Sequence, residues 1–393
     1  MVIILILILS EVLTFKVIRK YFYEKSWVRY FFITLLNFSL SIFFWAVVFQ
    51  IMLFRGFYDD PRHISLLMTF NGLIAAVLVP RIIFVITYYA VYRGKRKPAR
   101  CRRLLSATGN MVSLFIFSVV VISSVSGRFN FRTEHVNLKI TGLHQDLNGL
   151  KIALISDLHL PSFHHHTNKL LNVMEEINEH DPDFIMNTGD FITYGWREFG
   201  RHDTILKIAG SRYGNFAVMG NHDFGTYHPY FTEADIKNNV RIINKKIEAS
   251  GYRVLNDEHI VIEIDSARVG IAGVITMGSF PEIIHGNLDR AIQGMNDTDI
   301  DILLTHDPNH WLESVRGKTD ISLTLSGHTH GMQLGILTKK FRWSPAKYFY
   351  SCWGGTYSED NQFLIVNRGL GVLGFPVRVW MPPEITIITL EGE

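Results

Sequence analysis

Seven side chains suited to holding a metal ion recur along this chain, each a few residues beyond a short apolar run. Asp157 and His159 follow Lys151-Ile152-Ala153-Leu154-Ile155, and Asp190 follows Phe184-Ile185-Met186 by way of Asn187-Thr188-Gly189. Asn221 follows Phe216-Ala217-Val218 and is itself followed by His222 and Asp223; His306 follows Asp301-Ile302-Leu303-Leu304; His328 and His330 follow Ile321–Leu325. A single Asp, Asn or His after a strand is ordinary turn chemistry. The ordered set Asp-x-His, Gly-Asp, Gly-Asn-His-Asp, His and Gly-His-x-His is hard to obtain from turns alone. Two carboxylates, one amide oxygen and four imidazoles, with His222 beside them, suffice for two divalent ions sharing one carboxylate. Mixed nitrogen and oxygen donors suit manganese, iron, zinc or cobalt, whereas calcium takes oxygen alone. Two such ions roughly 3.5–4 Å apart lower the pKa of a shared water and clamp a phosphoryl group for in-line attack. A hydroxide formed there is its own nucleophile, so no activated Ser or Cys is needed.

The elements that must position these residues are also legible. Five apolar runs separated by amphipathic stretches such as Asn168–His180 predict an α/β sheet covered by helices. In open α/β folds ligands gather at the carboxyl ends of strands, where all these clusters fall. Asp157 and His159 are two residues apart and in an extended segment project to one side; His328 and His330 repeat the spacing. Gly189, Gly220 and Gly327 precede the polar residues, where a sharp turn favours a residue without a Cβ.

Asp157-Leu158-His159, Gly189-Asp190, Gly220-Asn221-His222-Asp223, His306 and Gly327-His328-Thr329-His330 together closely resemble the signature of the calcineurin-like metallophosphoesterases. The resemblance covers about residues 132–393. It extends to Asn367-Arg368-Gly369-Leu370-Gly371, Pro376-Val377-Arg378 and Pro383-Glu384-Ile385, which look like the membrane-linked branch that includes UDP-2,3-diacylglucosamine pyrophosphatases. It implies one metal held by Asp157, His159 and His330, a second by Asn221, His306 and His328, and a bridge at Asp190. It also implies that His222 meets the phosphate and protonates the leaving group, with Asp223 fixing its orientation. Met332 departs from the pattern, standing where many relatives carry a second glycine; it is expected to narrow the cleft or touch an apolar substrate. The run His164-His165-His166 has no transferable role and reads as a solvated loop.

A formal charge of +3 over 393 residues gives no reason to expect nucleic acid as a partner. Two cysteines, Cys101 and Cys352, supply neither a disulfide framework nor a CxxC metal site. Apolar residues make up 48% of the chain but crowd into the first 130 positions, which predicts a transmembrane helical domain at 1–130 and a metallophosphoesterase domain at 131–393. Four segments approach the length of a membrane span: Val2–Phe15, running on toward Tyr23, then Tyr30–Phe54, Ile64–Tyr92 and Leu104–Ser126. The first is the weakest, being interrupted by Glu11, yet it lacks the basic start and small-residue cleavage site of a signal peptide. Asn71 and Arg81 within the spans are expected to make interhelical hydrogen bonds.

Basic residues concentrate in the first connection (Lys16, Arg19, Lys20, Lys25, Arg29) and the third (Arg93, Lys95, Arg96, Lys97, Arg100, Arg102, Arg103). The positive-inside rule places both in the cytoplasm, hence the catalytic domain of this multi-pass cell-membrane protein on the other side. These expectations converge on a membrane-anchored hydrolase of a phosphodiester or pyrophosphate, with a lipid-linked substrate the natural choice for a tethered cleft. Trp380, Met381 and Phe375 are read first as core and second as apolar contacts to such a substrate. A non-catalytic metal-binding receptor is disfavoured because every expected ligand and His222 are present. A transport protein is disfavoured by few intramembrane charges and no clear repeat.

Overall fold

The computed structural model describes residues 2–23, 26–93, 98–277, 286–338 and 340–393. Lys25, Lys95, Lys97 and Arg96, counted above in the basic loops, lie outside the described residues. The chain divides into two compact units: one comprises Met1–Phe57, Leu66–Val125 and Gly374–Val377, the other Tyr58–Ser65, Ser126–Leu373 and Arg378–Glu393.

The first unit contains α1 (Val2–Phe22), α2 (Trp27–Leu53), α3 (Pro61–Arg93) and α4 (Ala99–Val125). Among the described residues, three stretches are long and apolar enough to cross a membrane: Trp27–Gln50, Pro61–Val91 and Arg100–Phe129. By the same measure α1 falls short, because Glu11, Lys16, Arg19 and Lys20 punctuate its 21 residues. Several polar groups inside the unit are paired, which offsets the cost of placing them in an apolar setting. The Arg81 guanidinium donates to the Asn37 carbonyl at 3.3 Å and lies 3.9 Å from Glu11, which also accepts from the Trp45 indole at 3.4 Å. Asn71 donates its amide to the Gly374 carbonyl at 2.7 Å. Arg81 thus makes the interhelical bond expected of it, whereas Asn71 bonds a loop carbonyl rather than another helix.

The second unit is built on two mixed sheets. The first contains β1 (Arg132–Ile140), β2 (Lys151–Ile155), β3 (Phe184–Asn187), β4 (Asn215–Ala217) and β5 (Tyr252–Val254). The second contains β6 (Glu258–Ile264), β7 (Ala267–Gly273), β8 (Ile300–Leu304) and β9 (Leu323–Ser326). A hairpin of β10 (Ile336–Leu337) and β11 (Arg342–Trp343) follows, then β12 (Gly355–Glu359), β13 (Gln362–Val366) and β14 (Glu384–Gly392). The sheet orders are β1-β14-β2-β3-β4-β5 and β12-β13-β9-β8-β7-β6. Parallel pairing joins β2 through β5, and likewise β7, β8, β9 and β13, so the chemistry-bearing ends of each set point one way.

Period-two alternation sorts the strand residues into layers. Ile152 and Leu154 of β2 join Phe184, Met186, Ile271, Ile302, Leu304, Leu323 and Leu325 in a core between the sheets. Ala153 and Ile155, on the opposite face, pack under α5 (Thr167–Glu179) and α6 (Glu233–Ala249). α5 buries Leu170, Val173, Met174 and Ile177, the i, i+3, i+4, i+7 stripe of a helix lying on a sheet. Thr232 opens α6 with a capping box closed by Asp235. The result is an α/β domain in which the expected helix-covered sheet is joined by a second mixed sheet packed against its other face.

Candidate metal centre

The strand ends deliver the sequence-predicted donors to one place. Asp157, His159 and His330 present ligand atoms all within 4.8 Å of one another, and so do Asp190, His306 and His328. The two groups adjoin at Asp190, whose Oδ2 lies 3.2 Å from His306 Nε2 and 3.7 Å from His159 Nε2. His330 Nε2 stands 3.3 Å from Asp157 Oδ1 and 3.2 Å from His159 Nε2. His328 Nδ1 stands 3.1 Å from His306 Nε2. Each nitrogen pair brings two imidazoles to the separation that two donors of one ion would have. Asn221 aims a buried Oδ1 with no hydrogen-bond partner, while its Nδ2 donates to the Tyr227 hydroxyl at 2.9 Å. A buried amide oxygen without a donor is costly unless it serves another ligand, and this one suits a divalent ion. The donors present therefore fit the pair of divalent ions that the motif implies.

Backbone geometry shows how the sequence puts them there. Five of the seven expected ligands have left-handed φ: Asp157 50°, His159 38°, Asp190 58°, His328 72° and His330 49°. Such conformations are sparse for residues with a Cβ and persist only where surroundings enforce them. The Asp-x-His and His-x-His segments are therefore not extended, as their spacing suggested. His328 and His330 accordingly serve different groups. Gly189 (φ 99°) and Gly220 pack backbone to backbone, and a Cβ on Gly220 would strike the Asp190 carboxylate. A Cβ on Gly327 would strike Ser156 and Asp157. Met332 takes φ 46° and faces solvent, a backbone that a residue with a Cβ adopts at some strain.

Supporting contacts fix the rings. His306 Nδ1 donates to the Thr188 carbonyl at 2.7 Å, which leaves Nε2 for the cluster. His328 Nε2 is 2.9 Å from the Tyr350 hydroxyl, leaving Nδ1. His159 Nδ1 meets Thr193 Oγ1 at 3.2 Å, and the Thr193 carbonyl accepts from His222 Nδ1 at 2.7 Å. The His222 ring stacks on Tyr227 with centroids 4.3 Å apart. Asp223, expected to fix the orientation of His222, does something else. Its carboxylate accepts the backbone N–H groups of Asp190, Phe191, Ile192 and Gly220 at 2.8–3.1 Å. It thereby joins the Gly189-Asp190 turn to the Gly220-Asn221 turn, and Thr193 orients the imidazole. Thr193, Tyr227 and Tyr350 escape sequence reasoning: an isolated Thr or Tyr in a loop carries no spacing that marks it.

The electrostatics are those of a buried, densely charged site. Burial and the neighbouring Asp190 push the Asp157 carboxyl up to about 6. Burial would lower His306, but the Asp190 carboxylate overrides it and lifts the imidazole to about 10. Burial holds His159 and His328 down at about 3 and His330 well below its usual value, so these rings are neutral and ready to donate lone pairs. His164, His165 and His166 contribute nothing to the two groups; His164 and His165 stack on each other at 4.6 Å.

A two-sheet α/β domain whose strand ends assemble adjoining three-donor groups presents two candidate metal-ligand groups side by side. The family described as calcineurin-like phosphoesterase matches residues 150–332. The metallophosphoesterase YkoQ of Bacillus subtilis is 30% identical over 60% of this chain and 82% of its own length. A transmembrane protein with metallophosphoesterase domain from Danio rerio is 27% identical over 85% of this chain and 75% of that protein. The UDP-2,3-diacylglucosamine pyrophosphatase LpxG of Chlamydia muridarum is 25% identical over 62% and 84%. The chain belongs to the calcineurin-like metallophosphoesterases, a family of metal-dependent phosphoesterases.

Proposed function

We propose that the protein is a membrane-anchored phosphoesterase that hydrolyses a phosphodiester or pyrophosphate bond with two divalent ions, of the manganese, iron, zinc or cobalt kind. The observation that carries this reading is Asp190 Oδ2 between the two donor groups, within 3.7 Å of an imidazole from each. Asp157, His159 and His330 would hold one ion, Asn221, His306 and His328 the other, and Asp190 would bridge. Bound there, the ions supply Lewis acidity and an activated water. The chain's own residues do the remainder. His222 Nδ1–H is tied to the Thr193 carbonyl, which leaves Nε2 toward substrate to give a proton to the departing oxygen. Tyr227 holds that ring against rotation by stacking. Asp223 keeps the two ligand-bearing turns in register.

The membrane reading takes four spans, with α1 the fourth, a boundary near residue 130, and the catalytic domain extracytoplasmic. The basic first and third connections support it. So does the α2–α3 connection: Tyr58–Ser65, its end and the first turn of α3, belongs to the catalytic unit, where Asp59 pairs with Arg197 at 2.6 Å. Two helices separate that segment from residue 126, so both emerge on one side if α3 and α4 span. LpxG, by its name, acts on a lipid-linked pyrophosphate. A lipid-linked substrate is the reading for this chain too, presented on the outer face rather than drawn from a cytoplasmic nucleotide pool.

The deciding experiment measures metal content and hydrolysis of an aryl phosphodiester by the purified chain. Asn221→Ala should lose metal and activity together, whereas His222→Ala should keep metal and lose about 10²- to 10⁴-fold in turnover. Full activity in either variant would overturn the assignment, and a wild type inert with manganese restored would favour the receptor reading.

A further inference from the structure

Directly after His330 the chain alternates inward and outward in the reverse of the usual sense. Gly331, Gln333 and Gly335 point in, while Met332, Leu334 and Ile336 point out, each 40–41% exposed. Gly331, Met332 and Gln333 form a left-handed turn, with φ of 53°, 46° and 57°, and the strand begins only at Ile336. The inward positions are fixed by what they meet. Gln333 is used inside, accepting from the Leu373 N–H at 2.7 Å and donating to the Leu373 carbonyl at 3.1 Å. Gly335 has no room for a side chain, because a Cβ would meet Met381 and the Trp343 carbonyl. The fold therefore holds the apolar side chains in solvent.

The strip does not end there. Ile336 pairs with Trp343 across the β10–β11 hairpin, and Leu334 bridges to Val379, whose neighbour Trp380 is 62% exposed. Phe341 at the hairpin and Phe349 beyond it are 55% and 71% exposed. The cations Lys340, Arg342 and Lys347 are interleaved among them and exposed, and no Asp or Glu occurs between Gly331 and Ser358. Aromatic and aliphatic side chains mixed with Lys and Arg, without acids, are the composition of a surface that seats in the headgroup region of a bilayer. A second protein surface would meet the same cations with acidic partners, and the strip offers no acids for a self-complementary pairing with another copy.

We propose that the Met332–Ile336 strip, with Phe341 and Trp380, is the face by which the catalytic domain docks on an anionic lipid surface. It begins two residues from His330, and Tyr350 at the far end of the same stretch reaches His328, so docking sets the candidate cleft at the level of lipid headgroups. The docking does not depend on the reaction assigned above, and its test reads contact with lipid rather than turnover.

The full chain, with Cys101→Ser and a nitroxide on Leu334→Cys, is placed in nanodiscs of anionic or of zwitterionic lipid. Collision with oxygen and with a water-soluble nickel chelate is then measured. Oxygen should dominate in anionic discs, and raising the salt or removing the anionic lipid should shift the balance toward nickel. Nickel access equal to that of a free surface label in both discs would overturn the proposal. Spin–spin broadening that grows with copies per disc would assign the face to a second copy and overturn it equally. In a separate arm, Leu334→Glu with Ile336→Glu should leave hydrolysis of a soluble aryl phosphodiester within about twofold. The same variant should slow hydrolysis of a lipid-borne phosphodiester at least tenfold. Equal slowing of both substrates counts against docking. Inertness toward both by the wild type would fault the phosphoesterase reading while the label still reports on the surface.

Discussion

His306 holds a proton that an arriving ion must displace, and Asp157 holds one only in acid. His306 is raised to about 10 by the Asp190 charge, against the pull of burial, and so is protonated at neutral pH. Asp157, raised to about 6 by burial and by Asp190, takes up a proton only below that. An imidazole donates to a metal through a lone pair, so ion uptake at pH 7 should expel about one proton through His306. Apparent affinity should rise with pH from about 6 to about 10, and fall more steeply below 6 as Asp157 protonates. Calorimetric titration of manganese in buffers of different ionisation enthalpy measures this, and identical heats in every buffer would refute it. The seven donors were legible because their types are rare at strand ends and recur in order. What Asp223 does was not legible. A carboxylate beside a histidine reads as its partner, and only the turn geometry shows it occupied by four backbone N–H groups.

Asn367, just past β13, ties strands of both sheets at the end where the donors gather. Its Nδ2 donates to the carbonyls of Leu154 and Glu384 and to Thr386 Oγ1, and its Oδ1 accepts from the Gly369 N–H. Gly369 in turn lies against Asp157 and His330, so slack here reaches the ligands. Replacing Asn367 by Ala strands several buried groups, and the expected loss is about 3 kcal/mol of stability. The urea midpoint of the variant measures it; a shift worth under about 1 kcal/mol would deny Asn367 this role. At this scale the five strands that carry ligands announced themselves as apolar runs. β1 was not marked because its burial alternates with polar residues such as Glu134 and Asn137. β6 hides for the same reason, with Glu258 and Glu263 in its seven residues. β14 is buried along its first half, but Thr386 and Thr389 break up its apolar character. α1 met the eye as a span, and its charges remove it from the set that qualifies by length and composition.

For the whole molecule, the two native thiols report on orientation without any engineered site. Cys101 is exposed near the start of α4, beside the basic third connection, and Cys352 is buried in the catalytic unit. A membrane-impermeant maleimide added to intact cells should leave Cys101 unlabelled and reach it after permeabilisation. Labelling of Cys101 in intact cells would reverse the proposed topology. The first sheet carries a different consequence. β14 is wedged between β1 and β2, although β2 is made more than 200 residues earlier. Until residues 384–392 have been synthesised, β1 has no neighbour and one flank of β2 lies open. A nascent chain must therefore wait with its sandwich unclosed, its open strand edges free to pair with another chain until the last strand emerges.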